Sequence, residues 1–190
     1  MDIPDHLVDQ AREGDMEALS ELVRRSQTEV YTLALRLTGN EEDAKDVVQE
    51  TYVRVMKGVR RFRGDASFST WLYRVTANTA YSWLQRHKKH KAQPLSEVES
   101  VLSLPEKPGE RPDEAVITGE LRDRLEQAVG DLAPPYRAVV VLKDIYGLPH
   151  EEIAASLGIS VTACKVRLFR ARRRLREVLF EGPEGERVAI

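Results

Sequence analysis

Aromatic and cationic side chains crowd into one stretch, residues 62–91, FRGDASFSTWLYRVTANTAYSWLQRHKKHK. Phe62, Phe68, Trp71, Tyr73, Tyr81 and Trp83 are half of the chain's aromatic residues, while Arg63, Arg74, Arg86, Lys88, Lys89 and Lys91 face a single acid, Asp65. Cations track phosphates and flat rings give unpaired bases a surface to stack on, at roughly 1–3 kcal/mol per base. The segment therefore has the chemistry to hold single-stranded nucleic acid. A plainer alternative covers part of it. Phe68, Trp71, Leu72, Val75 and Thr79 fall at helical spacing and read as the buried stripe of an amphipathic helix. That stripe leaves out Tyr73, Asn78, Tyr81 and the RHKKHK tail, whose His87 and His90 suit phosphate-side donors better than metal ligands.

A second basic block lies between 159 and 177, with seven bases and one acid, Glu177. Val161, Cys164, Leu168, Ala171 and Leu175 line one face at 3-4-3-4 spacing, so Thr162, Ala163, Lys165, Val166, Phe169 and Arg170 face outward. A shorter helix precedes it, from 150 to 157, joined by Gly158-Ile159-Ser160. That length and glycine-containing turn match a helix-turn-helix, whose second helix enters the DNA major groove. Docking of this basic helix on an acidic protein or a membrane is the alternative. Cys164 sits on the buried stripe and reads as core, with a thiol switch near the helix start as the other possibility.

A third group is acidic. Asp46, Gln49, Glu50 and Arg54 lie opposite the apolar face of a helix whose inner side is read as Ala44, Val47, Val48, Tyr52, Val55, Met56 and Val59. It is either solvated surface or a docking face for a basic partner. Nothing in the sequence supplies a catalytic group. There is no GxxxxGK[ST] loop, metal-ligand spacing or Ser/His/Asp arrangement. Cys164 is the only cysteine, which excludes an intramolecular disulfide and argues against a cysteine-based zinc site. No enzyme, cofactor or metal is expected.

Helical elements must position these groups. Apolar spacing from 7 to 22, interrupted at Gly14-Asp15, predicts two short helices, followed by a longer one from about 21 to 37 with Leu22, Val23, Val30, Leu33, Ala34 and Leu37 inward. Gly39 stops it as a left-handed C-terminal residue. Asn40 caps the acidic-faced helix, and Glu41, Glu42 and Asp43 complement the positive end of its dipole. Gly64-Asp65 breaks the chain before the aromatic helix, with Ser67 or Ser69 as cap. Further on, helices are predicted at 121–129, ending at Gly130, and at 134–146, ending at Gly147. The last two are the helix-turn-helix pair, 150–157 and 161 to about 179, with Ser160 as cap.

At 190 residues and 42% apolar composition, the chain has the size for one large or two small soluble domains. No apolar run approaches the ~20 residues of a membrane span, and the acidic start MDIPDHLVDQ is unlike a signal peptide, so a cytoplasmic location is expected. The net charge of −2 hides segregation. Residues 1–57 carry thirteen acids against seven bases, 58–91 one against eight, and 92–114 six against two. Two basic blocks flank an acidic one, which suggests two nucleic-acid contacts held apart. Pro94, Pro105, Pro108 and Pro112 mark 92–114 as a linker, whose roughly 22 residues reach at most about 70–80 Å. Expected domains are 1–91, the flexible acidic linker 92–114, 115–180 and a tail, 181–190. The expected fold class is all-α, two small helical domains with the helix-turn-helix in the second.

LALRLTGNEEDAKDVVQETYVRV, FRGDASFSTWLYRVTANTA and YRAVVVLKDIYGLPHEEIAASLGIS…KVRLFRARRRLR, in that order, resemble the extracytoplasmic-function (ECF) sigma factors of bacterial RNA polymerase. The resemblance covers about 21–91 and 121–177. It implies that Asp46, Gln49 and Glu50 bind core RNA polymerase. It further implies that Phe62, Arg63, Ser67, Arg74, Asn78, Lys88 and Lys89 contact and open the −10 promoter element, Phe62 and Asn78 lining a base pocket. The −35 element then falls to Thr162, Lys165, Val166, Arg167, Phe169, Arg170 and Arg173. An anti-sigma protein is an implied partner, and the acidic linker would thread into polymerase channels. The chain departs from the family at Thr162-Ala163-Cys164 and Val166, where Ala163 and Val166 lack the hydroxyls usual there. A repressor or activator would share the helix-turn-helix but add a dimerising or ligand-sensing domain; none is evident in the sequence.

Overall fold

Local chemistry sets the helix ends. The structure, a computed structural model, describes residues 3–88 and 119–180, and every regular element there is helical. Helix α1 (Asp5–Glu13) closes at Gly14, where φ is 101°. The Asp15 carboxylate then accepts from the amides of Glu17 and Ala18 and starts α2 (Met16–Thr38). This is one helix where sequence spacing predicts two. After Asp15 no glycine or proline interrupts the chain, and Ser26, the polar residue that obscures the apolar period, is buried and donates to the Leu22 carbonyl at 2.7 Å.

Gly39, at φ 71°, ends α2 as expected, and Asn40 Oδ1 accepts from the amides of Glu42 and Asp43 at 2.9 and 3.0 Å to start α3 (Glu41–Gly58). A 3₁₀ turn, Val59–Arg61, leads into the Gly64 loop. Ser67 Oγ accepts from the Thr70 amide at 3.1 Å, so Ser67 caps α4 (Phe68–Lys88).

In the second domain, α5 (Gly119–Asp131) runs through Gly130 instead of stopping there. Gly130 has open space around it and stays helical. The predicted 134–146 helix is α6 (Pro134–Val140), widened at its end into a π-helical turn, Val141–Ile145, which closes at Gly147. Helix α7 (His150–Leu157) ends at Gly158, φ 64°, and Ser160 Oγ accepts from the Ala163 amide at 3.0 Å to cap α8 (Val161–Phe180).

Two apolar clusters hold these helices. One joins α1, α2, α3 and α4 through Leu7, Leu22, Val30, Val55, Phe68 and Leu72. The other is shared between the domains: Leu33, Leu37, Val47, Ala77 and Ala80 meet Leu132, Val139, Leu142, Ile153 and Leu168. Helix α4 packs on α7, and α2 on α6. Val23, expected inside, is only half-buried, and Ser26 takes the inward place. Met56, also expected inside, is 45% exposed, while Thr51, one turn before the buried Val55, is fully buried. Of the α4 stripe, Phe68, Leu72 and Thr79 are buried while Trp71 and Val75 are half-buried. Thr76, Ala77 and Ala80 are buried as well, because α4 is covered on a second side by the C-terminal domain.

Candidate nucleic-acid interface

Three surfaces carry the residues singled out in the sequence. On the first, Phe62 leaves the 3₁₀ turn to meet Phe68 edge-on at 5.8 Å and Trp71 at 5.5 Å, and Phe68 and Trp71 lie 5.5 Å apart. Aromatic pairs at such distances hold one another in place. Phe62 and Trp71 are only half-buried, so the ring cluster keeps an open side. Arg63 is exposed beside it; Asn78, half-buried, lies one turn of α4 beyond Arg74.

Arg74 itself is engaged. Its Nε donates to Glu152 Oε2 of α7 at 2.8 Å, and its Nη2 pairs with Oε1 of the same carboxylate. Tyr73 meets Tyr146 edge-on at 4.6 Å, and burial pushes both phenols above their ordinary range. Sequence spacing offers no signal for Glu152 or Tyr146, since both reach this surface from the other domain. Farther along α4, Trp83 donates to Asp43 Oδ1 at 3.2 Å and stacks on His87, with Arg86 over its ring at 5.6 Å. The Lys88 side chain, Lys89 and the rest of the basic tail lie outside the described residues, as do the linker and residues 181–190.

The second surface is the outward face of α8. Cys164, Leu168, Ala171 and Leu175 are buried as the spacing requires, and burial raises the Cys164 thiol, which favours the inert core reading over a thiolate. Thr162, Lys165 and Arg170 are exposed, Phe169 is 51% exposed, and Val166 is half-buried. Arg170, Arg173 and Arg174 rim a shallow hollow with Tyr136 and Glu177. Arg173 donates to Glu177 at 2.8 Å, and the half-buried Arg167 has its Nη1 enclosed without a partner, so neither is as free as Arg170. Burial first, then Lys143 and Lys165, lowers the His150 imidazole, keeping it neutral beside this cationic helix.

The third surface is the outer side of α3. Asp46 and Gln49 are exposed. Glu50 is not a free anion: it accepts from Arg54 and from Arg86 of α4, both at 2.6 Å. Partial burial raises its carboxyl, but those two guanidinium bonds outweigh it and leave the group below its ordinary value. Among the described residues no cluster of three or more His, Cys, Asp or Glu could hold a metal, and no helix is long and apolar enough to cross a membrane.

Comparison with known proteins divides the chain in the same way. Residues 22–90 match the model for sigma-70 region 2, and 122–175 match that for sigma-70 region 4. The chain is 33% identical over 172 residues to the ECF RNA polymerase sigma-E factor of Salmonella typhimurium, covering 87% of this chain and 88% of that one. It is 37% identical over 171 residues to the ECF RNA polymerase sigma factor SigE of Mycolicibacterium smegmatis, covering 87% of this chain but 64% of the relative's length. Among solved structures, CnrH in complex with the cytosolic domain of CnrY is similar at a TM-score of 0.58 and 28% identity, covering 93% of this chain and 96% of that one. The sigma factor RpoE of Bartonella quintana, solved with the anti-sigma factor NepR, shares the fold at 0.58 and 21% identity, over 87% and 98% of the two chains.

Proposed function

Because this chain belongs to the ECF family of RNA polymerase sigma factors, we propose that it directs core RNA polymerase to promoters with two elements, opening the −10 element and docking on the −35 element. The observation that carries this reading is one chain presenting both an open-sided ring cluster beside cations and the exposed basic face of a helix-turn-helix. On the −35 element, Arg170 and Lys165 offer hydrogen-bond donors to guanine O6 and N7, a contact worth about 1–3 kcal/mol in discrimination. Thr162 and Phe169 supply a hydroxyl and an apolar contact, while Arg167 and Arg173 stand toward the backbone phosphates. Ala163 and Val166 give no hydroxyl, so base preference rests on the cations.

On the −10 element, an extruded base trades its stacking for the Phe62 ring cluster and Asn78. Unstacking costs a few kcal/mol, and an amide that both donates and accepts suits base reading. Arg63, Ser67, Arg74, Lys88 and Lys89 then follow the phosphates. Polymerase docks on Asp46 and Gln49, with Glu50 keeping α3 registered on α4.

On this reading residues 1–91 form the polymerase and −10 domain, 92–114 the linker, 115–180 the −35 domain and 181–190 a tail. The protein works in the cytoplasm and contributes no catalytic step of its own. The sigma factor RpoE of Bartonella quintana was solved in complex with the anti-sigma factor NepR, and an anti-sigma protein is proposed as a partner here. Mapping transcription starts in cells overexpressing the chain tests the function. Newly active starts are expected to share two elements at fixed spacing upstream; starts without a common pair of elements contradict it.

A further inference from the structure

Two glycines frame the 3₁₀ turn that leads to Phe62. At Gly14, which ends α1 at φ 101°, an added β-carbon would fall 2.7 Å from Arg60 Nη2 and 3.5 Å from its Cζ, so the guanidinium lies on the helix end itself. At Gly58, where the turn begins, an added β-carbon would come within 3.2 Å of Trp71 Cζ2. Between them Val59 is buried in one cluster with Leu7, Val8 and Ala11 of α1, and its carbonyl accepts from the Phe62 amide at 3.0 Å. The turn is held by α1 on one side and by the ring cluster on the other, so Phe62 moves with it. Arg60 is exposed, and an exposed arginine beside a nucleic-acid surface reads first as a phosphate contact. Its surroundings point elsewhere. The guanidinium lies at the negative end of the α1 dipole, on a glycine flanked by Glu13 and Asp15, which favours a cation and disfavours an approaching phosphate. A flat, weakly hydrated guanidinium suits such close contact.

We propose that Arg60, held on the Gly14 end of α1, is a positioning residue for strand opening: it fixes the Val59–Arg61 turn so that Phe62 stays against Trp71, with the open side of the ring cluster preformed for a base. The strand-holding part of this rests on the reading of that cluster as the −10 surface. A preformed cluster spares a strand the cost of ordering it. Loss of Arg60 therefore lowers affinity by reducing the competent fraction, without removing a phosphate contact. Helix α1 carries none of the residues assigned to DNA or polymerase, yet through this one contact it takes part in opening the promoter.

Trp71 and Trp83 are the only tryptophans in the chain, so in a Trp83→Phe background the fluorescence of Trp71 reports the ring cluster directly. Arg60→Gln in the full chain is expected to move Trp71 emission to longer wavelength and to raise its quenching by acrylamide, while Arg61→Gln, at the exposed next residue, leaves both at the parent values. Gly14→Asn keeps every charge and crowds Arg60 off the helix end, and asparagine enters the left-handed region more readily than most residues. It is expected to reproduce the Arg60→Gln signature. Gly158→Asn, at φ 64° with nothing within 4 Å of an added β-carbon, is the control that does not. With Trp83 intact, anisotropy of a labelled oligo-dT strand across a range of salt is expected to show Arg60→Gln binding about two- to fivefold more weakly, the span a cation at a helix C-terminus is worth, with the parent's salt slope. A phosphate contact would instead reduce that slope by about 0.7. Parent-like emission and quenching in Arg60→Gln, its helix content verified by circular dichroism, overturns the proposal; a reduced salt slope also overturns it. If Arg60→Gln and Gly14→Asn both disturb Trp71 yet bind the strand as tightly as the parent, the turn is positioned as proposed and the reading of the ring cluster as the strand-holding surface fails instead.

Discussion

Arg170 and Asn78 are the residues on which sequence reading depends most. Arg170 is exposed on α8 and, unlike Arg173, has no carboxylate on it within its own helix. Arg170→Ala is expected to weaken specific duplex binding by about 1–3 kcal/mol and to relax preference at one base pair, with a smaller loss on non-specific duplex. Competition binding of the full chain on promoter and scrambled duplexes checks this; equal losses on both would reduce Arg170 to a phosphate contact. Asn78 stands half-buried one turn beyond Arg74, at a position where an ordinary surface residue favours Glu, Lys or Ala. Asn78→Ala is expected to reduce strand opening and loosen preference at one −10 base while −35 duplex binding is retained. Permanganate footprinting on promoter variants reads both effects, and undiminished opening would return Asn78 to plain helix surface.

Helix α3 shows what one element must do twice. Its inner face packs Ala44, Val47 and Val55, and its outer face presents Asp46 and Gln49. Glu50 was legible as an outer-face acid, but its bonds to Arg54 and to Arg86 of α4 come from tertiary placement that helical spacing cannot reveal. Replacing Glu50 therefore mixes docking with stability. Asp46→Lys with Gln49→Ala avoids this and is expected to weaken binding to core polymerase while moving domain stability by less than about 0.5 kcal/mol. Unaltered competition for core polymerase would remove α3 from the docking surface.

The same geometry sets a pH dependence. Because the folded Glu50 carboxyl is lowered, its contribution is complete above the unfolded value of about 4.3 and is lost as pH falls through the folded one. Acid titration of Glu50→Gln, followed by circular dichroism, is expected to show a shallower loss of stability across that window than the parent chain. Parallel curves would mean that the Glu50 bonds to Arg54 and Arg86 contribute nothing.

At the scale of the molecule, local chemistry made the helix ends readable and left the domain contact hidden. Asn40 and Ser160 cap where their sequences say they should, and Gly39, Gly147 and Gly158 take the left-handed turns that end helices. The buried stripe of α8 also follows its spacing. Tyr73, Tyr81 and Ala80, by contrast, face a second core supplied by residues far along the chain, and no period of α4 alone encodes that. Arg137 looks like an ordinary surface arginine until Gly39 is placed against it.

Run-off transcription with purified core polymerase and the full-length protein, on a promoter recovered from overexpressing cells, tests this whole account most directly. A single transcript of defined length that appears only when the protein is added, and disappears when either promoter element is scrambled, is the predicted result. Unchanged, non-specific products with and without the protein would contradict it.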